Sequence, residues 1–132
     1  MSAPSIRLAT DSDMRLVHSS WHTNYWKVHA HKHITRDVYN AGQDRRIDRL
    51  IFKSRVLVAF FEEVPDEVLG WACLQNTTLH YVYVRTAYRR RGIASGLVAG
   101  LARWYTHATD SEGRIFAAKM KLTYNPYPLE SS

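Results

Sequence analysis

The chain has 132 residues, 45% of them apolar, with 18 Lys and Arg against 12 Asp and Glu. That length buries one core and leaves no room for a second independent one, so a single domain over residues 1–132 is expected. No apolar run approaches the ~20 residues that span a bilayer and no apolar leader follows Met1, so the expectation is a soluble, cytoplasmic protein without a membrane partner.

Taken in chain order, Ile6 to Thr10 reads as a short first strand, with Asp11 or Asp13 capping the next element. Met14, Val17, Trp21, Tyr25 and Val28 recur at spacings of three and four, which places one apolar stripe on a first helix. A second helix is expected from Thr35, interrupted at Gly42 and resumed with Ile47, Leu50 and Ile51 on one face. Arg55 to Phe61 is apolar on both faces and therefore a central strand. Pro65 and Asp66 turn the chain into a neighbouring strand, Val68 to Leu74, and Asn76-Thr77 turns it again into Thr78 to Val84, rich in β-branched and aromatic residues. Ile93, Leu97, Leu101 and Trp104 have helical spacing. Beyond them, Tyr105 to Thr109 is expected as a strand, Ser111 to Lys121 as a helix and Leu122 to Leu129 as a final extended piece; an alternative makes Ile115 to Met120 the strand. The lone Cys73 cannot form an internal disulfide and, in an apolar strand, reads as a structural thiol rather than a nucleophile.

The junction at residues 84 to 96 carries the clearest chemistry. A strand end runs into Arg89-Arg90-Arg91-Gly92 and then into the helix starting at Ile93. A residue without a side chain lets backbone N–H groups at a helix start approach an anion, and the guanidiniums neutralise it. The net charge of +6 agrees with an anionic partner; it leaves nucleic acid open without requiring it.

The pattern Arg89-x-x-Gly92-x-Ala94, with Val84 ending a strand, Tyr88 before the first Arg and Ile93 and Leu97 opening the helix, resembles the pyrophosphate-binding signature of the GCN5-related N-acetyltransferases, or GNAT proteins. Thr86 stands where the family usually has Pro. The resemblance implies an α+β fold, a mixed and mostly antiparallel sheet flanked by helices. It also implies acetyl-CoA as co-substrate. Val82, Tyr83 and Val84 would pair through their backbones with the pantetheine arm, and Arg89, Arg90, Arg91, Gly92, Ile93, Ala94 and Ser95 would hold the pyrophosphate.

The implied reaction moves an acetyl group to a primary amine by direct attack on the thioester, with a backbone N–H stabilising the oxyanion and an acid protonating the thiolate. Many members take that acid from a Tyr on the helix after the fifth strand. The matching position here falls near Phe116, so Tyr124 and Tyr127 are the substitutes, although Tyr-Asn-Pro-Tyr-Pro also reads as a rigid extended terminus. No Glu lies on the signature strand; His80 is the candidate base, with His107 behind it and a water chain as the other route. Too few residues remain for two full final strands, which makes the chain a minimal member or leaves a partner subunit, as in a homodimer, to complete the sheet.

A second cluster, Trp21-His22, Tyr25-Trp26 and His29-Ala30-His31-Lys32-His33, lacks the Cys or carboxylate pattern of a closed metal site, and no metal is expected. The resemblance implies that these side chains shape the acceptor groove; the residues read equally as core followed by a solvated loop. A non-catalytic protein that binds CoA, nucleic acid or a protein partner through the same fold is the competing class. The amine acceptor is not specified by any of these residues.

Overall fold

A computed structural model of the chain describes residues 3–28, 35–106 and 116–125. Its elements are β1 (Ser5–Leu8), α1 (Met14–Val28), α2 (Arg36–Phe52), β2 (Arg55–Phe60), β3 (Gly70–Gln75), β4 (Thr78–Val84), α3 (Ile93–Val98), β5 (Trp104–Tyr105) and β6 (Thr123–Tyr124). The strands form one sheet in sequence order, antiparallel from β1 to β4 and parallel from β4 to β6. The parallel step from β4 to β5 needs a crossover, and α3 supplies it.

Alternation along β2 and β3 divides the core into two layers. Val56, Val58, Trp71 and Cys73 face Val17 and Trp21 of α1 and Ile47 of α2. Leu57, Ala59, Ala72 and Leu74 face Ile93, Leu97 and Val98 of α3. Trp21, Ile47, Trp71 and Leu97 are each removed from water completely, worth ~2 kcal/mol or more apiece on an area basis. Trp71 keeps its indole N–H satisfied by donating to Ser20 Oγ at 2.8 Å.

The sheet begins at a fixed corner. Arg7 on β1 meets Asp13 in a two-pronged ion pair at 2.6 and 3.3 Å, and the same carboxylate accepts from the Thr10 N–H at 2.7 Å. Thr10, rather than Asp11 or Asp13, is thus the N-cap of the 3₁₀ turn Asp11–Asp13 that leads into α1, and Asp13 closes the capping box from its third position. The hydrogen bond from Arg7, together with those from Thr10, outweighs burial and holds the Asp13 carboxyl down at about 2.

Three further expectations need correction. Gly42 does not interrupt α2, which runs unbroken from Arg36 to Phe52 with Thr35 Oγ1 accepting from the Val38 N–H; Gly42 lies on its exposed side, where tertiary contacts elsewhere on the helix carry it past one weak residue. The helix from Ile93 stops at Val98 rather than reaching Trp104, because Gly100 takes a φ of +74° and reverses the chain. Trp104 pairs with Thr78 instead. Residues 116–119 are helical, which removes the alternative strand over Ile115 to Met120. No helix of the described residues is long and apolar enough to cross a membrane.

Candidate functional site

β4 is regular except at one place. Leu79 pairs with Leu74 and Tyr81 with Cys73, so His80 is an extra residue opposite a single step of β3. Such a bulge bends the strand and re-aims its side chains. The parity of burial shifts accordingly. Leu79 and Val84 face the α3 layer, whereas Tyr81 and Tyr83 face α1 and α2. An unbulged strand would put Leu79 and Tyr81 on the same face.

The bulge also marks where β4 loses its second neighbour. β5 pairs only with Thr78 and Leu79, and the last bond of that junction runs from the Thr106 N–H to the Leu79 carbonyl at 3.2 Å. Among the described residues nothing pairs with β4 beyond Leu79 on that side. The Arg85 N–H donates to Leu69 O at 2.9 Å, so alternation turns the amide groups of Val82 and Val84 away from β3 and toward the gap. An extended ligand arm can enter such a gap as an added strand. Gly70 packs against the same segment closely enough that a Cβ would come within 2.6 Å of Tyr83 O.

At the end of the gap the chain folds into the basic turn. Thr86–Tyr88 forms a single 3₁₀ turn, fixed by the Tyr88 hydroxyl donating to Glu67 Oε1 at 3.1 Å. Arg89 folds back over the Tyr83 ring and donates from Nε to Val84 O at 2.8 Å, which ties its guanidinium to the end of β4. Arg90 has φ +64° and Gly92 φ +79°, two left-handed residues around Arg91. For Arg90 that geometry costs about 1 kcal/mol, strain of the kind that concentrates where ligands are held. A Cβ at Gly92 would meet nothing within 4 Å, so the glycine is required by its φ and the space over it is open. The first turn of α3 leaves backbone N–H groups without intrahelical acceptors, and Arg90 and Arg91 are exposed beside them. The turn can therefore bind an anion through both backbone and guanidinium donors.

The expected catalytic side chains are placed less closely together. His80 is 2% exposed, with Nδ1 3.0 Å from Thr106 Oγ1 and Nε2 2.9 Å from Gln75 Oε1. Burial, helped by the nearby positive charge of Arg46, lowers its pKa to about 4, so the ring is neutral near pH 7. Tyr124 lies on β6, one strand farther from β4 than β5, its ring 5.3 Å from that of Tyr105. Tyr105, on β5 opposite Leu79, borders the start of the gap; its sequence context points only to a strand, because nothing but the parallel pairing brings it there. Phe116 is half-buried against the α3 layer. Cys73 is fully buried and its thiol is pushed up to about 12 by that burial, as suits a structural thiol. Tyr127, His107, His29, His31 and His33 lie outside the described residues.

On the α1 and α2 face, Trp21 stacks on Tyr81 at 5.3 Å, and the Tyr81 hydroxyl accepts from Asn24 Nδ2 at 2.6 Å. Trp26 meets Tyr39 edge-on at 4.6 Å, with the Arg36 guanidinium 4.4 Å over its ring. Among the described aromatic side chains of this face, Trp21, Tyr39 and Tyr81 are buried in the core, and Trp26 and Tyr83 are half-buried against it.

Comparison with known proteins agrees with this architecture. A putative acetyl transferase from Pyrococcus furiosus superposes with a TM-score of 0.71 over 98% of this chain and 99% of its own, at 14% identity. A possible acetyltransferase from Clostridium difficile 630 gives 0.60 over 99% and 97%, also at 14% identity. The AAC(6')-Iy structure, solved with the bisubstrate analogue CoA-S-monomethyl-acetylneamine, gives 0.54 over 99% and 97%, again at 14% identity. Among curated proteins none matches the sequence. The sequence model of the acetyltransferase (GNAT) family matches residues 18–122, from within α1 to the end of the short helical turn ahead of β6. The chain belongs to the acetyltransferase (GNAT) family.

Proposed function

We propose that the protein is an N-acetyltransferase that moves an acetyl group from acetyl-CoA to a primary amine. The observation that carries this is the continuity of the one-sided gap along Val82–Val84 with the basic turn at Arg89–Ser95. A thioester-bearing arm has the outward edge of β4 at Val82–Val84 to lie along, unpaired among the described residues except where the Val84 carbonyl accepts from Arg89, and the pyrophosphate to which that arm is joined has donors where it ends.

In this reading the acyl carbonyl sits beside an outward N–H of β4, which strengthens its bond to the oxygen as negative charge develops there. The amine nitrogen attacks the carbonyl carbon, the C–S bond breaks, and the thiolate takes a proton from Tyr124 or Tyr127. With both His80 ring nitrogens occupied and the side chain buried, we assign loss of the amine proton to solvent rather than to His80.

The test is thiol release from acetyl-CoA across a panel of small amines, peptides and nucleobases. Turnover with at least one amine is expected. Tyr124→Phe and Tyr127→Phe, singly and together, should lower kcat by about 10²-fold at the acid position while CoA affinity barely moves. Full activity in the double variant removes both from the role. Phe116, at the position expected to carry the acid, favours a second reading, a CoA-binding protein without transfer. Tight acetyl-CoA binding with no thiol released by any amine would select it.

A further inference from the structure

Among the described residues, β4 loses its pairing with β5 after Leu79, and the next residue is the bulged His80. Two bonds bring Thr106 to this point: its N–H donates to Leu79 O at 3.2 Å, and its hydroxyl lies 3.0 Å from His80 Nδ1. The other ring nitrogen reaches Gln75 Oε1, at the end of β3, at 2.9 Å. Since Gln75 Oε1 can only accept, Nε2 carries the proton and Nδ1 accepts from the Thr106 hydroxyl. A neutral imidazole thus links β3, β4 and the segment leaving β5. His80 is 2% and Thr106 7% exposed, so water cannot readily replace the bond between them. At the other end of the junction the Arg103 and Trp104 N–H groups donate to Thr77 O at 2.7 and 3.2 Å, so the clasp stands at the end where the backbone bonds stop.

We infer that His80, Thr106 and Gln75 form a positioning clasp that fixes the apex of the β4–β5 gap and thereby the width of the slot that receives the pantetheine arm of acetyl-CoA. The inference rests on the acyltransferase reading and goes beyond it. It gives His80 a role exerted through Thr106 and β5, with no contact to substrate. A slot that must accept one extended chain as a strand tolerates little change in separation, because strands pair only near 4.8 Å. The bulge serves the clasp directly: it supplies the extra residue whose side chain reaches Thr106, just past β5, while Leu79 keeps its ladder pairing with Tyr105.

The test uses calorimetric binding of two ligands, acetyl-CoA and adenosine 3′,5′-bisphosphate, the second being the part of the coenzyme that reaches only the basic turn. Thr106→Val keeps the volume and removes the hydroxyl. It should weaken acetyl-CoA by about tenfold and leave the bisphosphate unchanged, whereas Thr106→Ser should restore acetyl-CoA to within about twofold of wild type. Gln75→Met, which removes the acceptor at the half-buried end, should act in the same direction and serves where Thr106→Val does not fold. Wild-type affinity for acetyl-CoA in a folded Thr106→Val or Gln75→Met protein overturns the clasp, and so does an equal loss for both ligands. A wild-type protein that binds neither ligand overturns the acyl-CoA reading on which the clasp depends, a result distinct from the others.

Discussion

Arg90 is where the competition between folding and ligand binding is sharpest. Its left-handed φ of +64° is unfavourable for any residue with a Cβ, yet its exposed guanidinium stands beside the open first turn of α3. Arg90→Gly relieves that strain by about 1 kcal/mol and should raise Tm by about 3 to 5 °C, while acetyl-CoA binds about tenfold more weakly. A thermal melt and a titration on the same sample read both. Gly92 is the mirror case: its φ is +79° and an added methyl group would meet only open space, so Gly92→Ala costs stability through the backbone alone. The spacing of Arg89, Gly92 and Ala94 was readable because it is local, and the turn lies where that spacing places it. What the spacing did not contain is the bond from Arg89 Nε to Val84 O, which depends on how the chain folds back.

Among the elements, the helices and antiparallel strands were legible wherever apolar periodicity met a turn signal. The stripe of Val17 and Trp21 is buried, and β4 has its expected bounds at Thr78 and Val84. Legibility failed where one residue's conformation had to be weighed against tertiary context. Gly42 carried too much weight as a breaker and Gly100 too little as a stop. The His80 bulge had no signal, since Thr78 to Val84 is β-prone throughout and only the register against β3 reveals the extra residue. Gly42 supplies a direct check. It is exposed, helical and free of steric neighbours, so Gly42→Ala should stabilise the protein by about 0.5 to 1 kcal/mol in denaturant unfolding without altering ligand affinity.

At the scale of the whole molecule, two buried groups shape the response to acid. His80 is held below its ordinary value of 6.5 at about 4, so the unfolded chain takes up its proton first and stability is lost as pH falls from 6.5 toward 4. Moving from pH 7.5 to 5 should remove about 2 kcal/mol from the unfolding free energy, and His80→Gln should flatten that dependence. Asp13, lowered from 3.8 to about 2, contributes stability that is complete above 3.8 and disappears through 2, a separate and later loss. That the last strands fall short was foreseeable from the few residues left after α3, but their limits at Trp104–Tyr105 and Thr123–Tyr124 were not, because two-residue pairings leave almost no periodic trace. Those short ladders have a consequence in time. The amides of Trp104, Tyr105 and Tyr124 sit in the least extensive pairing of the sheet, whereas β2 and β3 are held on both sides. Amide hydrogen exchange should therefore proceed through two opening events, an early one that releases β5 with β6 and a later one that requires β1 to β4 to separate.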